Sequence, residues 1–441
     1  MSKIKIDLTL EVIIPQNGVS VNTLVYEIGK IMPKIFFAIL KSVFSATEEK
    51  VIQELKTTFP GRYVKNGHQN SIRQLRTPFG LFHHRLARVW DKLESKTLIP
   101  LYKKIFIPSR KQYIAQTLEP ATGLAIHLSY RRSTKEVERI KEISMPHTTL
   151  WRYFQVFAQT ICLWPDLKKI PYRFLMVDGT KVCLQEENEE GTLSRQVEMR
   201  WAVASLGENK PFEPIGFWID KNWEHIAKDL KERLNYSRLE VLFSDGGKGI
   251  LENFLEEGMR HQPCILHGKR DFPFILYMDK LKKPKQEPFT DKLSSIPAMN
   301  LSKAKLESIT PEDKPRIKEL SEKTKQGFKE LLEMLDEKRY PHARTYIENF
   351  SMQVTTFFDW WLATGEWLPL TTNAIESKFS QVTNRIKSIG KRWSEQGLLN
   401  WLMVSMNKIF YPGMWSKIWE KYLGLDHSVE INLVQVSYSW V

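Results

Sequence analysis

Three short stretches decide the fold of this chain: Phe174-Leu-Met-Val-Asp178-Gly-Thr180, Val241-Leu-Phe-Ser-Asp245-Gly-Gly247 and Thr371-Thr-Asn-Ala-Ile-Glu376-Ser377. In the first two, an apolar run of strand type ends in an aspartate followed at once by glycine, which is how a buried strand delivers a carboxylate to a sheet edge. In the third, a glutamate falls in what reads as the first turn of a helix. Taken singly, an aspartate before glycine is most often a turn former, and Glu376 reads as an acid placed for the helix dipole. Three carboxylates from distant parts of one chain instead suggest a shared cation site, because hard divalent metals such as Mg²⁺ are held by a few carboxylate oxygens plus substrate phosphates.

The pattern around them assigns residues 171–267 to the first part of a core. A strand reaches Asp178 and runs on through Val182 and Leu184; after the acidic loop 186–190, strands follow around Val197 to Ser205 and Pro214 to Ile219. A helix from about Asn222 to Leu234 leads to the strand Leu239 to Phe243, and a helix of roughly Gly249 to Met259 leads to a short strand at Pro263 to Leu266. Three strands in meander, then helix, strand, helix and strand is the order of the ribonuclease-H-like fold. Residues 268–370, with lysines crowding Lys280 to Lys285 and helical periodicity from Ile317 to Thr364, read as an all-helical insertion. Residues 371–410 complete the core with the Glu376 helix, and 411–441 form a C-terminal tail that turns β-like from Ile431 to Val441. The expected class is therefore mixed α/β (α+β).

Composition bounds the partners. With 441 residues, 42% hydrophobic and 26% charged, the chain has the make-up of a soluble globular protein of several domains. Its net charge is +14, and residues 61–152 hold 18 Lys and Arg against 6 Asp and Glu, so nearly the whole excess lies in one stretch before the first aspartate. That distribution favours a polyanionic partner. Within 61–165, the basic residues Arg73, Arg76, Arg85 and Arg88 alternate with apolar ones and suggest an Arg-studded β-ribbon. His83 and His84, being adjacent on a strand, face opposite ways and do not form a metal site. Ser133 to Ile140, a break at Ile143 to Pro146 and a second helix from His147 give a helix-turn-helix pattern, with Thr148, Thr149 and Arg152 facing out toward DNA. Residues 1–60 read as an extension: an alternating strand over 2–14, then a long helix from about Val21 to Thr58. Ile35 to Phe44 within it is too short and too interrupted by lysine to cross a bilayer. Three cysteines and no visible signal peptide point to a reducing cytoplasm.

Asp178-Gly-Thr, Ser244-Asp245-Gly, Cys264-Ile-Leu-His267 and Thr372-Asn373-Ala-Ile-Glu376-Ser, in this order, resemble the signatures of the prokaryotic insertion-sequence transposases related to the eukaryotic Mutator elements. The resemblance covers Asp178 to about Trp393 well and the basic region upstream more loosely. It implies a DDE enzyme in which Asp178, Asp245 and Glu376 bind two Mg²⁺ (or Mn²⁺) ions, with His267 near the scissile phosphate. It further implies terminal inverted repeats and target DNA as duplex partners, a homo-oligomer of at least two chains on DNA, and a prokaryotic, nucleoid-associated location. Cys264 and His267 alone cannot complete a tetrahedral zinc site. Lys378 and Arg385, on the helix of Glu376, are expected along a phosphate backbone. Trp360, Trp361 and Trp367 read as packed core rather than as a stack for a flipped base.

Two other functions compete. A small ribonuclease-H-like nuclease such as a junction resolvase would lack the long insertion between Asp245 and Glu376. A DNA-binding descendant that has lost catalysis would most readily have lost a carboxylate, and all three are present.

Overall fold

The structure, a computed structural model, describes residues 3–432 apart from 106, 108–111, 165, 188–190, 192, 208, 302–309, 390–392 and 425–428, and apart from the side chains of 115, 193, 311, 378 and 381. It is a mixed α+β chain that divides into two compact units, residues 1–160 with 415–441, and residues 161–414. Among the described residues no helix is long and apolar enough to cross a membrane.

The N-terminal unit starts with helix α1 (Val21–Thr58), capped by Ser20, whose side chain accepts the Thr23 N–H. Phe44, Glu48, Val51, Ile52 and Leu55 repeat at helical spacing and are its buried face. They pack on five short strands: β1 (Tyr63–His68), β2 (Arg73–Thr77), β3 (Gly80–His84), β4 (Ala87–Asp91) and β5 (Lys96–Leu98). Strands β1, β4 and β5 form one antiparallel sheet, while β2 and β3 form a separate hairpin. The hairpin carries Arg73 and Arg76 of the expected ribbon, whereas Arg85 follows β3 and Arg88 lies on β4 in the other sheet. The hairpin's tight turn needs the positive φ of Gly80 (116°). His83 is exposed and His84 buried, on opposite faces as expected; His84 Nε2 lies 3.3 Å from the buried Glu48 carboxylate, which also accepts the Ala87 N–H.

Three helices follow: α2 (Ala115–Ala125), α3 (Tyr130–Lys141) and α4 (His147–Ala158). The helix, five-residue break and helix expected between Ser133 and Phe154 are present, but α3 starts earlier. Its N-cap is Ser129, which accepts the Arg132 N–H, whereas Ser133 is buried inside the helix with its hydroxyl on the Ser129 carbonyl. Ser129→Ala is expected to cost about 1 kcal/mol, seen as a lower unfolding midpoint of this unit; an unchanged midpoint would remove the cap from the account of α3. Residues 3–14 contain no strand, contrary to the expectation, and no strand among the described residues pairs with them.

The second unit is built on a five-stranded sheet. Strand β6 (Phe174–Glu187) is central; β7 (Leu193–Ser205) and β8 (Glu213–Ile219) continue antiparallel on one side, β9 (Val241–Ser244) and β10 (Arg260–Pro263) run parallel on the other. The parallel strands must be reached by crossovers, and helices α5 (Trp223–Arg233) and α6 (Ile250–Phe254) supply them. Leu175, Val177, Ala202 and Leu242 from the sheet meet Ile226, Leu230, Ile250 and Phe254 in one core. The last expected strand, Pro263 to Leu266, is shifted: β10 ends at Pro263, and Cys264 is the N-cap of helix α7 (Ile265–Met278).

Helices α8 (Glu287–Ser295), α9 (Lys314–Met334), α10 (Pro341–Ser351) and α11 (Thr356–Thr364) complete the helical insertion. Trp360 and Trp361 of α11 are buried, and Trp361 stacks on Trp367 at 5.2 Å, the packed arrangement expected. Helix α12 (Asn373–Ser388) is held on the sheet by Phe379, stacked on Trp201 at 4.2 Å, and α13 (Glu395–Phe410) follows it. Helix α14 (Pro412–Leu423) carries Trp415 and Trp419, which pack on Phe157 within the first unit. The tail expected to turn β-like shows no regular element at 431–432, and 433–441 lie outside the described residues.

Candidate active site

Phe174 to Val177 are fully buried, and Asp178 is the first residue of β6 to emerge from the core. On the neighbouring parallel strand, Phe243 stands opposite Met176. Two residues further along come Asp178, still within β6, and Asp245, just past the end of β9, so both carboxylates stand at one level on strands that run about 4.8 Å apart. The chain turns sharply after Asp245. Gly246 takes a positive φ (81°), and the Gly247 N–H donates to Asp245 Oδ1 at 2.9 Å. The Gly179 N–H likewise donates to Asp178 Oδ1 at 2.7 Å. The Asp245-Gly246 pair therefore acts both as a turn former and as a mount for its carboxylate, whereas at Asp178-Gly179 the strand runs on without a turn to Glu187.

A second group of side chains comes from the helix starts beyond β10. The Cys264 N–H donates to Ser244 O and the Ile265 N–H to Leu370 O, tying the start of α7 to β9 and to the approach of α12. Thr372, the residue before α12, sits at the centre. Its N–H and its hydroxyl both reach Cys264 Sγ at 3.3 Å, and its Oγ1 lies 3.4 Å from His267 Nδ1 and 3.5 Å from Glu376 Oε1. His267 Nε2 is 3.8 Å from Glu376 Oε1. Cys264 and His267 thus belong to a buried network beside Glu376. Thr372 is a participant the sequence reading missed, although it stood inside the quoted motif. Arg270, one turn beyond His267, is another: its charge is felt by His267, and Glu376 acts on it in turn.

The electrostatics bring the three carboxylates together. Burial pushes Asp178 up to about 6, and the Asp245 and Glu376 charges add to this against the opposing pull of the Gly179 N–H and His267. Hydrogen bonding to Cys264 raises His267 above an ordinary imidazole, against its burial. Burial pushes the Cys264 thiol up, but bonds from His267 and Thr372 outweigh it and hold the thiol below its ordinary value. His261 on β10, whose Nε2 lies 2.9 Å from Ser244 Oγ and whose Nδ1 meets Gln353, is held below its usual value by burial. As placed, no group of three His, Cys, Asp or Glu side chains among the described residues closes around one metal position. The donor set still suits a hard divalent cation: three carboxylates share one field, and burial is the largest influence on Asp178.

The residues expected to meet DNA divide. Arg85, Thr148 and Arg152 are exposed; Arg73, Arg76 and Thr149 are half-buried, and the Arg76 guanidinium lies 5.4 Å from the Tyr113 ring centre. Arg385 corrects the expectation. It is only 4% exposed, with its guanidinium over Trp393 and Trp401 and a bond to the Ile389 carbonyl, because position 385 falls on the inward face of α12 beside Phe379 and Val382. The Lys378 side chain lies outside the described residues. No family model and no curated protein matches the chain.

Proposed function

We propose that this chain is a DDE transposase of the insertion-sequence type related to the Mutator-like elements, with a ribonuclease-H-like catalytic unit and a basic DNA-binding unit that contains a helix-turn-helix. The observation that carries the reading is the delivery of Asp178 and Asp245 by adjacent parallel strands to one sheet edge, within the field of Glu376 from the start of α12. The strand order β8-β7-β6-β9-β10, three antiparallel strands followed by two parallel ones, supports the fold named.

The reaction class follows from the side chains. Cleavage breaks a P–O3′ bond as a water oxygen bonds to phosphorus, and transfer repeats the displacement with the freed 3′-hydroxyl as attacker. Neither step needs a nucleophilic side chain. Asp178, Asp245 and Glu376 would hold the divalent cations, which when bound stabilise the attacking and leaving oxygens. His267, fixed from behind by Cys264 and Thr372, orients Glu376 and adds a proton donor at the edge of the site. The basic N-terminal unit supplies affinity for the duplex through phosphate contacts.

The test is nicking of a labelled duplex carrying the element's own end, with Mg²⁺ or Mn²⁺ against EDTA. Binding without cutting under either ion sinks the catalytic reading and leaves a DNA-binding descendant. For the basic unit, Arg85→Ala is expected to weaken end binding by roughly threefold to tenfold and to lower the salt slope by about 1. An unaltered slope would remove Arg85 from the DNA interface.

A further inference from the structure

Residues 3–32 show a surface made of two segments that has no partner among the described residues. Over 3–12 the sequence alternates without a break, Lys-Ile-Lys-Ile-Asp-Leu-Thr-Leu-Glu-Val, with Ile4, Ile6, Leu8, Leu10 and Val12 on one face of any strand it forms and Lys3, Lys5, Asp7, Thr9 and Glu11 on the other. No strand among the described residues pairs with it, and Leu8, Leu10 and Val12 stand 48%, 59% and 64% exposed. In helix α1, Val21, Val25, Ile28 and Met32 recur at intervals of four, three and four, the spacing of a helix-pairing seam, and all are exposed. The buried residues of α1 begin only at Phe44. Its first turns, which contain Gly29 and Pro33, therefore lack a core to hold them, and a helix of that length is marginal in water by itself.

The charges say what covers these faces. Along the polar side the basic residues come first and the acidic ones last. Parallel alignment with a second copy would set Lys5 against Lys5 and Glu11 against Glu11. Antiparallel alignment about Leu8 sets Lys5 against Glu11 twice and Asp7 against Thr9 twice. The same register matches Ile6 with Leu10, Ile4 with Val12 and Leu8 with its own counterpart on the apolar side. Every cross-strand pair is favourable, with no like charges opposed. The segment is complementary to itself, the condition for a two-fold symmetric contact.

We propose that residues 4–12 pair antiparallel with the same residues of a second copy of this chain, about a two-fold axis at Leu8, and that the Val21 to Met32 seams close on each other beside that strand pair. The segment thereby gains a backbone partner, and the early turns of α1 gain an apolar contact.

Sedimentation equilibrium of the full chain without DNA tests this. The wild type is expected at twice the chain mass at micromolar concentration, and Leu8→Asp, which opposes two aspartates at the axis, is expected to weaken the dimer at least about hundredfold. Lys5→Glu and Glu11→Lys, both on exposed side chains, should each weaken it roughly tenfold. An equimolar mixture of those two single variants should recover a tight heterodimer, since every opposed pair is then Glu with Lys, and the double variant should recover the homodimer. A monomeric wild type overturns the proposal. So does a dimer that survives Leu8→Asp, or charge variants that weaken association with no recovery on mixing.

Discussion

Asp178→Asn, Asp245→Asn and Glu376→Gln are each expected to lower Mg²⁺-dependent nicking by about 10³-fold or more, with end binding retained. Each substitution keeps the shape of the side chain and removes one charge, so the loss reports the missing negative oxygen rather than a cavity. The scale follows from second-layer positions: changing a group that merely orients a metal ligand costs roughly 10–100-fold, and removing a ligand must cost more. His267→Ala and Thr372→Val belong to that lower range, because they touch Glu376 at 3.8 Å and 3.5 Å without supplying a carboxylate. The grading is the content of the prediction. Any carboxylate variant that keeps a tenth of wild-type cleavage, or a Thr372 variant that loses as much as the Asp178 variant, contradicts the roles assigned here.

The framework of this site was legible because it is written in local patterns. Apolar runs ending in Asp-Gly mark where Asp178 and Asp245 emerge, although β6 runs on past Asp178 to Glu187, and the spacing of helical and strand segments from 171 to 263 gives the crossovers, so the ends of β8 and α5 fall within a residue of expectation. Three things were not legible, each for its own reason. The alternation of residues 3–12 satisfies every strand criterion except a partner, and a partner is a tertiary fact. Arg385 looks like a solvated helix charge, but whether a helical arginine points outward depends on which face the neighbouring Phe379 and Val382 bury. Thr372 is too common a residue to stand out; only folding brings it against Cys264, more than a hundred residues earlier.

Asp178→Asn is also expected to make the unit of residues 161–414 more stable than the wild type at neutral pH. The folded site holds the Asp178 proton up to about 6, against an ordinary carboxylate value of 3.8. The folded state therefore binds that proton more tightly than the unfolded chain does. The associated stability is complete below 3.8 and lost as pH rises through 6, so above that the ionised carboxylate costs on the order of 3 kcal/mol without metal. Asparagine has no proton to lose. The advantage of the variant should be small near pH 4 and grow until about pH 7, read from the hydrogen exchange of β6 and β9 amides, which reports on this unit alone. Mg²⁺ or Mn²⁺ supplies the opposite charge and should narrow the gap by stabilising the wild type, by about 2.7 kcal/mol at a hundred times the dissociation constant, with little gain for the variant. Parallel pH profiles for the two proteins would mean that Asp178 is not destabilised by its surroundings. Equal gains on adding metal would mean that the ion binds elsewhere.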